Sequence, residues 1–116
     1  MPVFIKRIYE PFSPDDGYRV LVDRLWPRGV KKDAAKIDLW LKEVAPSATL
    51  RTWFNHEPER WDQFLKRYIS ELKDSAAFAE LKQLIGKHKH LTLLYSAKDE
   101  TYNQAVALQQ LLKLHK

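Results

Sequence analysis

The chain has 116 residues, of which 45% are hydrophobic and 30% charged, with a formal net charge of +5. These values are typical of one folded domain, here residues 1–116, and exclude a disordered or fibrous protein. The lack of cysteine excludes disulfides, thiolate catalysis and cysteine-ligated metal sites. No apolar run reaches the length of a membrane span, and the opening MPVFIKRIYE lacks a signal-peptide core, so we expect a cytoplasmic protein with no membrane partner.

The first part of the chain alternates apolar runs with turn signals. Residues 3–9 (VFIKRIY) and 18–23 (YRVLVD) predict two strands, because β-branched and aromatic residues dominate them. Residues 11–17 (PFSPDDG) predict a loop, since proline fixes φ and Asp-Gly favours a reversal of the chain. Residues 24–30 form a second loop, and residues 37–41 (IDLWL) suit either a strand or a helical turn.

Three helices are predicted next. Ser47 is a candidate N-cap for a short helix through Phe54. The second helix starts at Pro58, and its buried face recurs at helical spacing: Trp61, Phe64, Leu65, Tyr68, Ile69 and Leu72. The third helix carries Phe78, Leu81, Leu84 and Ile85, and Gly86 is expected to end it in the left-handed conformation.

Residues 91–96 (LTLLYS) predict a buried strand, followed by a last helix that ends near Leu114. Ser96 and Asp99 match the S-x-x-D capping box, which predicts that this helix begins directly after the strand. Strands separated by helices favour parallel pairing. We therefore predict an α/β fold, with a small, mostly parallel sheet flanked by helices in a layered, Rossmann-like topology.

Polar residues follow two of the predicted strands, at residues 23–29 and 95–99. In a parallel sheet these segments meet at the carboxyl edge, beside the N-terminus of a helix, where anionic ligands bind. The predicted ligand contacts in these segments are Arg24, Trp26, Arg28, Gly29, Ser96 and Lys98. The candidate catalytic groups are Asp23, which could orient an arginine or act as a base, Lys98 and Asp99.

The same residues also suit purely structural roles. Asp23 or Asp99 could pair with Arg24 or Lys98 and fasten the loop to the sheet. Trp26 could stack on a ligand or seal the edge of the core, whereas Trp40, Trp53 and Trp61 are expected in the core.

Histidines and a serine supply further candidates. His88 and His90 form an H-x-H pair without a third ligand nearby, so they predict a basic turn and no metal site. His56 could be a general base or could simply precede a helix. Ser96 lacks the G-x-S-x-G elbow of a nucleophile and is read as a cap.

Four segments together resemble the YeaO-like branch of the family called domain of unknown function 488: SPDDGYRVLVDRLWPRG (13–29), DLWLKEVAPS (38–47), HEPERW (56–61) and LLYSAKDETYNQAVAL (93–108). The resemblance covers nearly the whole chain. It implies a small bacterial-type α/β protein, in a family with no established activity, substrate or cofactor.

The family's characteristic polar positions fall, by this resemblance, on Asp15, Asp16, Gly17, Arg19, Asp23, Arg24, Trp26, Pro27, Arg28, Gly29, Lys98, Asp99 and Asn103. They add Asn103 to the predicted ligand contacts. The family pattern has histidines on both sides of this asparagine, whereas this chain has Tyr102 and Gln104. The departure implies that binding is retained more easily than proton transfer.

Three functions follow from these observations. The leading hypothesis is recognition of a small anionic ligand, a nucleotide or a phosphorylated metabolite, at the carboxyl edge of the sheet, with turnover left open. The second is a nucleic-acid-binding module that uses the basic surface. The third is a structural or partner-binding protein whose Asp/Arg network only holds the loop. Cofactor and oligomeric state stay open.

Overall fold

Four parallel strands form one sheet in the computed structural model, which describes residues 3–55 and 57–114. The strands are β1 (Val3–Arg7), β2 (Tyr18–Leu21), β3 (Leu39–Trp40) and β4 (Leu91–Tyr95). Their order is β1-β4-β2-β3, and every pairing is parallel. The predicted α/β fold is confirmed, and residues 37–41 contribute a strand of two residues.

In the described part of the chain, five α-helices connect and cover these strands. They are α1 (Lys32–Ala35), α2 (Ala48–Phe54), α3 (Trp61–Leu72), α4 (Ala76–Lys87) and α5 (Gln104–Leu114). The side chain of Ser47 accepts a hydrogen bond from the N–H of Leu50, so the predicted N-cap of α2 is confirmed. Pro58 begins a short 3-10 turn, Pro58–Arg60, that leads directly into α3.

The main core lies between one face of the sheet and helices α2 to α5. Val20 and Leu93, both fully buried, lie on this face of β2 and β4. The predicted inner face of α3 belongs to the same core, with Phe64, Tyr68 and Leu72 buried and Trp61, Leu65 and Ile69 partly buried. Burial of this apolar surface is the main stabilising contribution to the fold.

A smaller core covers the opposite face of the sheet. Leu21 and Leu94 are fully buried there, and Ile8 and Ala35 pack beside them. The segment that follows β2 supplies the cover, through Trp26, Val30, Ile37 and Trp40. Because both faces are covered, the central strand β4 is buried along its whole length, as parallel sheets require.

A buried ion network lies on this second face, at the amino end of β2. The carboxylate of Asp16 accepts hydrogen bonds from Lys6 Nζ at 3.1 Å, from the Ser13 N–H at 3.1 Å and from the Arg19 guanidinium. Arg19 is 2% exposed and also donates to the carbonyls of Ala35 and Lys36. The Asp16 and Arg19 positions of the family pattern therefore hold the sheet together.

Gly17, the residue before β2, has a backbone conformation that other residues rarely adopt. Its φ is 68°, and a Cβ added to it would lie 2.2 Å from the carbonyl oxygen of His90. The N–H of the next residue, Tyr18, donates to that same oxygen at 2.9 Å. A side chain at position 17 would therefore push apart the junction between β2 and the residue before β4.

The prediction that Gly86 ends α4 is wrong. The helix continues to Lys87, and it ends because His88 is extended, with φ −118° and ψ 129°. A glycine costs a helix interior only about 1 kcal/mol, so a helix packed on a core can include one.

The predicted capping box at the start of α5 is also wrong. Asp99 Oδ1 accepts hydrogen bonds from the N–H groups of Thr101 and Tyr102, which forms a turn after β4. The helix begins only at Gln104, and Asn103 Oδ1 accepts from the N–H of Val106 as its cap. The N–H of Ser96 is used elsewhere, in a bond to Asp23.

Side chains cover both ends of the edge strand β1. Gln109 Nε2 donates to the carbonyl of Val3 at 2.6 Å, and the N–H of Arg7 donates to Glu10 at 2.9 Å. The Val3 carbonyl and the Arg7 N–H both point away from β4. The N–H of Ile8, the residue after Arg7, bonds to the carbonyl of Tyr95, and neighbouring residues of a strand point their backbone groups to opposite sides. Within residues 3–55 and 57–114 no helix has the length and hydropathy of a membrane span.

Candidate functional site

A cleft of about 520 Å³ lies beyond the carboxyl ends of β2 and β4. The chain leaves β2 toward the second face of the sheet, where Trp26 and Val30 pack, and leaves β4 toward α5 on the main core. Adjacent parallel strands whose connections go to opposite faces open a crevice between them, which is where ligands of α/β proteins bind. The two polar segments singled out in the sequence meet at this crevice.

Asp23 lies at the base of the cleft and is only 6% exposed. Its Oδ2 accepts from the N–H of Ser96 at 2.9 Å, and its Oδ1 accepts from the side-chain amide of Gln104. Burial raises the pKa of this carboxyl, against the opposing effect of hydrogen bonds from the side chain and N–H of Ser96 and from Gln104, and of the Arg51 charge. Asp23 is thus an acceptor held by Ser96 and Gln104.

Arg7 fixes the segment that follows β4. Its Nε donates to the carbonyl of Ala97 at 2.9 Å, and its Nη2 donates to the carbonyl of Ser96 at 3.1 Å. The N–H of Ser96 therefore donates to Asp23, and its carbonyl accepts from Arg7. Sequence reasoning missed Arg7, because nothing in residues 3–9 indicates a contact with residues some 90 positions later.

Three arginines line the cleft: Arg24, Arg28 and Arg51. Arg24 is anchored, since its Nη2 donates to the carbonyls of Ala45 at 3.0 Å and Pro46 at 3.4 Å. Its Nε is buried, and no described residue accepts a hydrogen bond from it. Arg28 and Arg51 are exposed. Asp23 and Arg24 thus bond to different groups rather than to each other.

Aromatic side chains form much of the remaining lining: Tyr9, Trp26, Phe54, Phe64 and Tyr102. Trp26 donates its Nε1–H to the carbonyl of Val30 at 2.7 Å and packs edge-on against Trp40, with ring centroids 5.4 Å apart. Trp26 therefore both covers the smaller core and lines the cleft. Trp40, Trp53 and Trp61 pack, partly buried, against the two cores.

The side chain of Asn103, another predicted ligand contact, bonds within the protein. It lines the cleft and is 5% exposed, with Nδ2 donating to the carbonyl of Asp99 at 2.8 Å and Oδ1 capping α5. The departures from the family pattern, Tyr102 and Gln104, flank it and also line the cleft. Gln104 thus occupies the position that contacts the buried carboxylate.

The structure brings together some of the sequence-predicted residues and not others. Asp23, Arg24, Trp26, Arg28, Ser96 and Asn103 line the cleft. Gly29, Lys98 and Asp99 do not: Gly29 turns the loop with φ 74°, Lys98 is exposed, and Asp99 holds the turn before α5. Arg51 was missed because it comes from α2, and no local signal connects that helix with the ends of β2 and β4.

The histidine candidates lie elsewhere. His88 stacks on Tyr18 with ring centroids 4.1 Å apart, and His90 stacks on Phe4 at 5.8 Å. His56 falls outside the described residues. In the part of the chain that the structure describes, no three His, Cys, Asp or Glu side chains group as metal ligands would.

Comparison with known families matches residues 2–115 to the model described as the inactive DUF488-N3 subclade. The chain belongs to this family. The match spans the whole sheet and both polar segments, so the resemblance of the D-R-L-W-P-R-G and A-K-D strings to domain of unknown function 488 is confirmed.

This DUF488-N3 chain has relatives in several bacteria. It is 48% identical over 110 residues to the uncharacterised protein Rv3073c of Mycobacterium tuberculosis, covering 95% of this chain and 92% of that protein. It is 43% identical over 113 residues to the uncharacterised protein YeaO of Escherichia coli, covering 97% and 98%. No solved structure matches the DUF488-N3 chain.

Proposed function

We propose that this protein binds a small anionic ligand, a nucleotide or a phosphorylated metabolite, in the cleft beyond β2 and β4. The observation that carries the proposal is the charge of the lining. Arg24, Arg28 and Arg51 contribute three positive charges, against one carboxylate, Asp23, that already accepts hydrogen bonds from Ser96 and Gln104. A concave surface with an excess of one sign attracts ligands of the other.

The arginines suit phosphate or carboxylate oxygens. A guanidinium offers its N–H groups in a planar fork that bonds two such oxygens at once. The carbonyls of Ala45 and Pro46 hold Arg24 in place, and its buried Nε–H lacks an acceptor among the described residues. A ligand oxygen would complete the hydrogen bonding of this side chain.

Binding without turnover is the form of the function we favour. Burial favours proton uptake by Asp23, but the proton would weaken the hydrogen bonds that this carboxylate accepts from Ser96 and Gln104. Gln104 has no titratable group that could relay that proton. The description of the subclade as inactive supports the same conclusion.

The test is a thermal-shift screen of the wild type, Arg28→Ala and Arg51→Ala against inorganic phosphate, nucleotides, sugar phosphates and short oligonucleotides at two salt concentrations. A ligand at 100 times its Kd stabilises the native state by about 2.7 kcal/mol. We expect a phosphorylated compound to raise the wild-type Tm and to lose most of that effect in both variants. Lys66→Ala, which removes one charge from an exposed position on α3, should respond like the wild type.

Other outcomes would point to the other functions. Oligonucleotide binding with a salt slope of about −0.9 per contacted phosphate would favour a nucleic-acid module. No shift with any compound, together with a lower Tm for the arginine variants, would overturn the proposal in favour of a structural loop.

A further inference from the structure

Resting on the proposed function, we infer that the cleft takes up one proton from solvent with each anion that it binds, and that Asp23 holds this proton. Asp23 thereby determines the net charge that the cleft accepts, since a neutral carboxyl replaces a carboxylate beside the bound anion. No bond to the ligand is made or broken, and the proton returns to solvent when the anion leaves.

Asp23 shares the cleft with the cationic side chains. Among the described residues that line it, Asp23 is the one carboxylate, and it is 6% exposed. The other ionisable side chains of the lining are Tyr9 from the turn after β1, Arg24 and Arg28 from the loop after β2, Arg51 from α2 and Tyr102 from the segment before α5. A negative ligand held by these cations would therefore lie in the same cavity as a buried negative charge.

Arg51 connects the anion with Asp23. Its positive charge favours the ionised form of Asp23, whereas burial raises the pKa of this carboxyl and is the larger effect. An anion that pairs with Arg51 would cancel this charge and bring a negative charge toward Asp23. Both changes favour the protonated carboxyl, wherever along the cleft the anion lies.

The hydrogen-bond partners of Asp23 suit both protonation states. The carboxylate accepts from the N–H of Ser96 at 2.9 Å, from the Ser96 hydroxyl and from the Gln104 amide. A hydroxyl can turn from donor to acceptor, and an amide can turn its carbonyl toward a new donor, so either group can accept a hydrogen bond from a protonated Asp23. Asp16 differs, because its lysine and arginine partners can only donate.

The deciding measurement is a pH titration of the Asp23 carboxyl carbon by 13C NMR, in the free protein and with saturating inorganic phosphate or AMP. The signal that is missing from Asp23→Asn assigns it. We expect either anion to raise the pKa of Asp23, with an increase in proton affinity of at least about fivefold. In Arg51→Ala the pKa should rise without any anion, because the same positive charge is lost.

Anion affinity should show the reciprocal effect. By linkage, Asp23→Asn should bind phosphate at least about fivefold more tightly than the wild type where Asp23 is ionised, and the two affinities should converge as the pH falls through the pKa of Asp23. Calorimetry over a pH series measures this ratio, in which the titration of phosphate itself is common to both proteins. Asp74→Asn removes the same charge from the exposed turn between α3 and α4 and should match the wild type throughout.

The outcomes separate this inference from the proposed function. Phosphate or AMP binding that leaves the Asp23 titration unchanged, or a ratio of affinities that is constant with pH, would overturn proton uptake and leave anion binding intact. No binding of either anion at any pH would overturn both. If Asp23→Asn fails to fold, as its melting curve would reveal, the wild-type titration with and without phosphate decides.

Discussion

Asp16 and Asp23 are both buried carboxylates, yet their pKa values move in opposite directions. Burial raises the pKa of each. At Asp16 the hydrogen bonds from Ser13, Lys6 and Arg19 outweigh burial, and the pKa falls below its ordinary value near 3.8. At Asp23 the hydrogen bonds from Ser96 and Gln104 and the Arg51 charge leave burial dominant. Direct contact with Lys6 and Arg19 thus stabilises the ionised form of Asp16. Among the described residues, Asp23 has no cation in direct contact, so its ionised form is less stabilised.

Asp16→Asn should lower the free energy of unfolding by about 3–5 kcal/mol near neutral pH, because Arg19 keeps its charge in a buried position. The difference from the wild type should shrink as the pH falls below about 3.8 through the folded-state pKa, since the wild-type carboxylate is then also protonated. Urea unfolding at about pH 7 and about pH 3 checks this. Asp15 is exposed, so the free energy of unfolding of Asp15→Asn should stay within about 0.5 kcal/mol of the wild type at both pH values.

Among single residues, the sequence indicated the local chemistry better than the partners. The loop after β2 was expected to carry Arg24, Trp26 and Arg28 into a polar edge, and all three line the cleft. The expected partner of Asp23 was a cation, whereas its bonds go to the Ser96 N–H and the Gln104 amide, 73 and 81 residues later. Residue types near a strand end predict polarity, but partner choice depends on packing.

At the scale of elements, the two glycines Gly17 and Gly86 should respond oppositely to substitution by alanine. Gly86 lies inside α4 with no atom within 4 Å of an added Cβ, so Gly86→Ala should raise the free energy of unfolding by about 0.5–1 kcal/mol. Gly17→Ala should lower it by more than about 1–2 kcal/mol, because the left-handed φ is strained and the Cβ meets His90. Urea denaturation of both variants checks the pair. A loss of stability in Gly86→Ala would mean that α4 ends at this residue after all.

The elements themselves were predictable where a strong periodicity or an apolar run defined them. The buried face of α3 and the apolar run of β4 are confirmed, because a core of this size requires those faces to be buried. The start of α5 was not predictable from Ser96 and Asp99 alone. A capping box competes with any other acceptor, and Asp23 arrives from another strand to take the Ser96 N–H. Element ends therefore depended on contacts that no short window contains.

On the scale of the whole molecule, apolar residues cover both faces of the sheet. Each buried residue of the smaller core should therefore contribute as much to the free energy of unfolding as a buried residue of the larger core. Leu94 is fully buried against Leu21 on the second face. Leu94→Ala should therefore lower the free energy of unfolding by about 2–5 kcal/mol in one cooperative transition. Leu25, with 72% of its surface exposed, is the matched control, and Leu25→Ala should change stability by about 0.5 kcal/mol or less. A small effect at Leu94 would show that the second face is only loosely packed.

The position of the cleft was predictable from the order of the elements, but its composition was not. Strands, helices and the ends of β2 and β4 follow from the sequence pattern, and together they place a crevice at the carboxyl edge. Arg51 enters from α2 and Tyr9 from the turn after β1, so both depend on how separate layers pack. Six lining residues lie outside residues 23–28 and 96–104 and reach the cleft through tertiary packing: Tyr9, Ala45, Pro46, Arg51, Phe54 and Phe64.

The side-chain contacts along β1 affect how copies of this protein meet one another. An edge strand with open N–H and C=O groups is a template on which another chain can add a strand and start a fibril. Here Gln109 occupies the Val3 carbonyl and Glu10 occupies the Arg7 N–H, at the two ends of β1. An incoming strand would have to displace both side chains before it could form a ladder of useful length. The β1 edge of the sheet thus resists edge-to-edge growth through two polar side chains, Gln109 and Glu10.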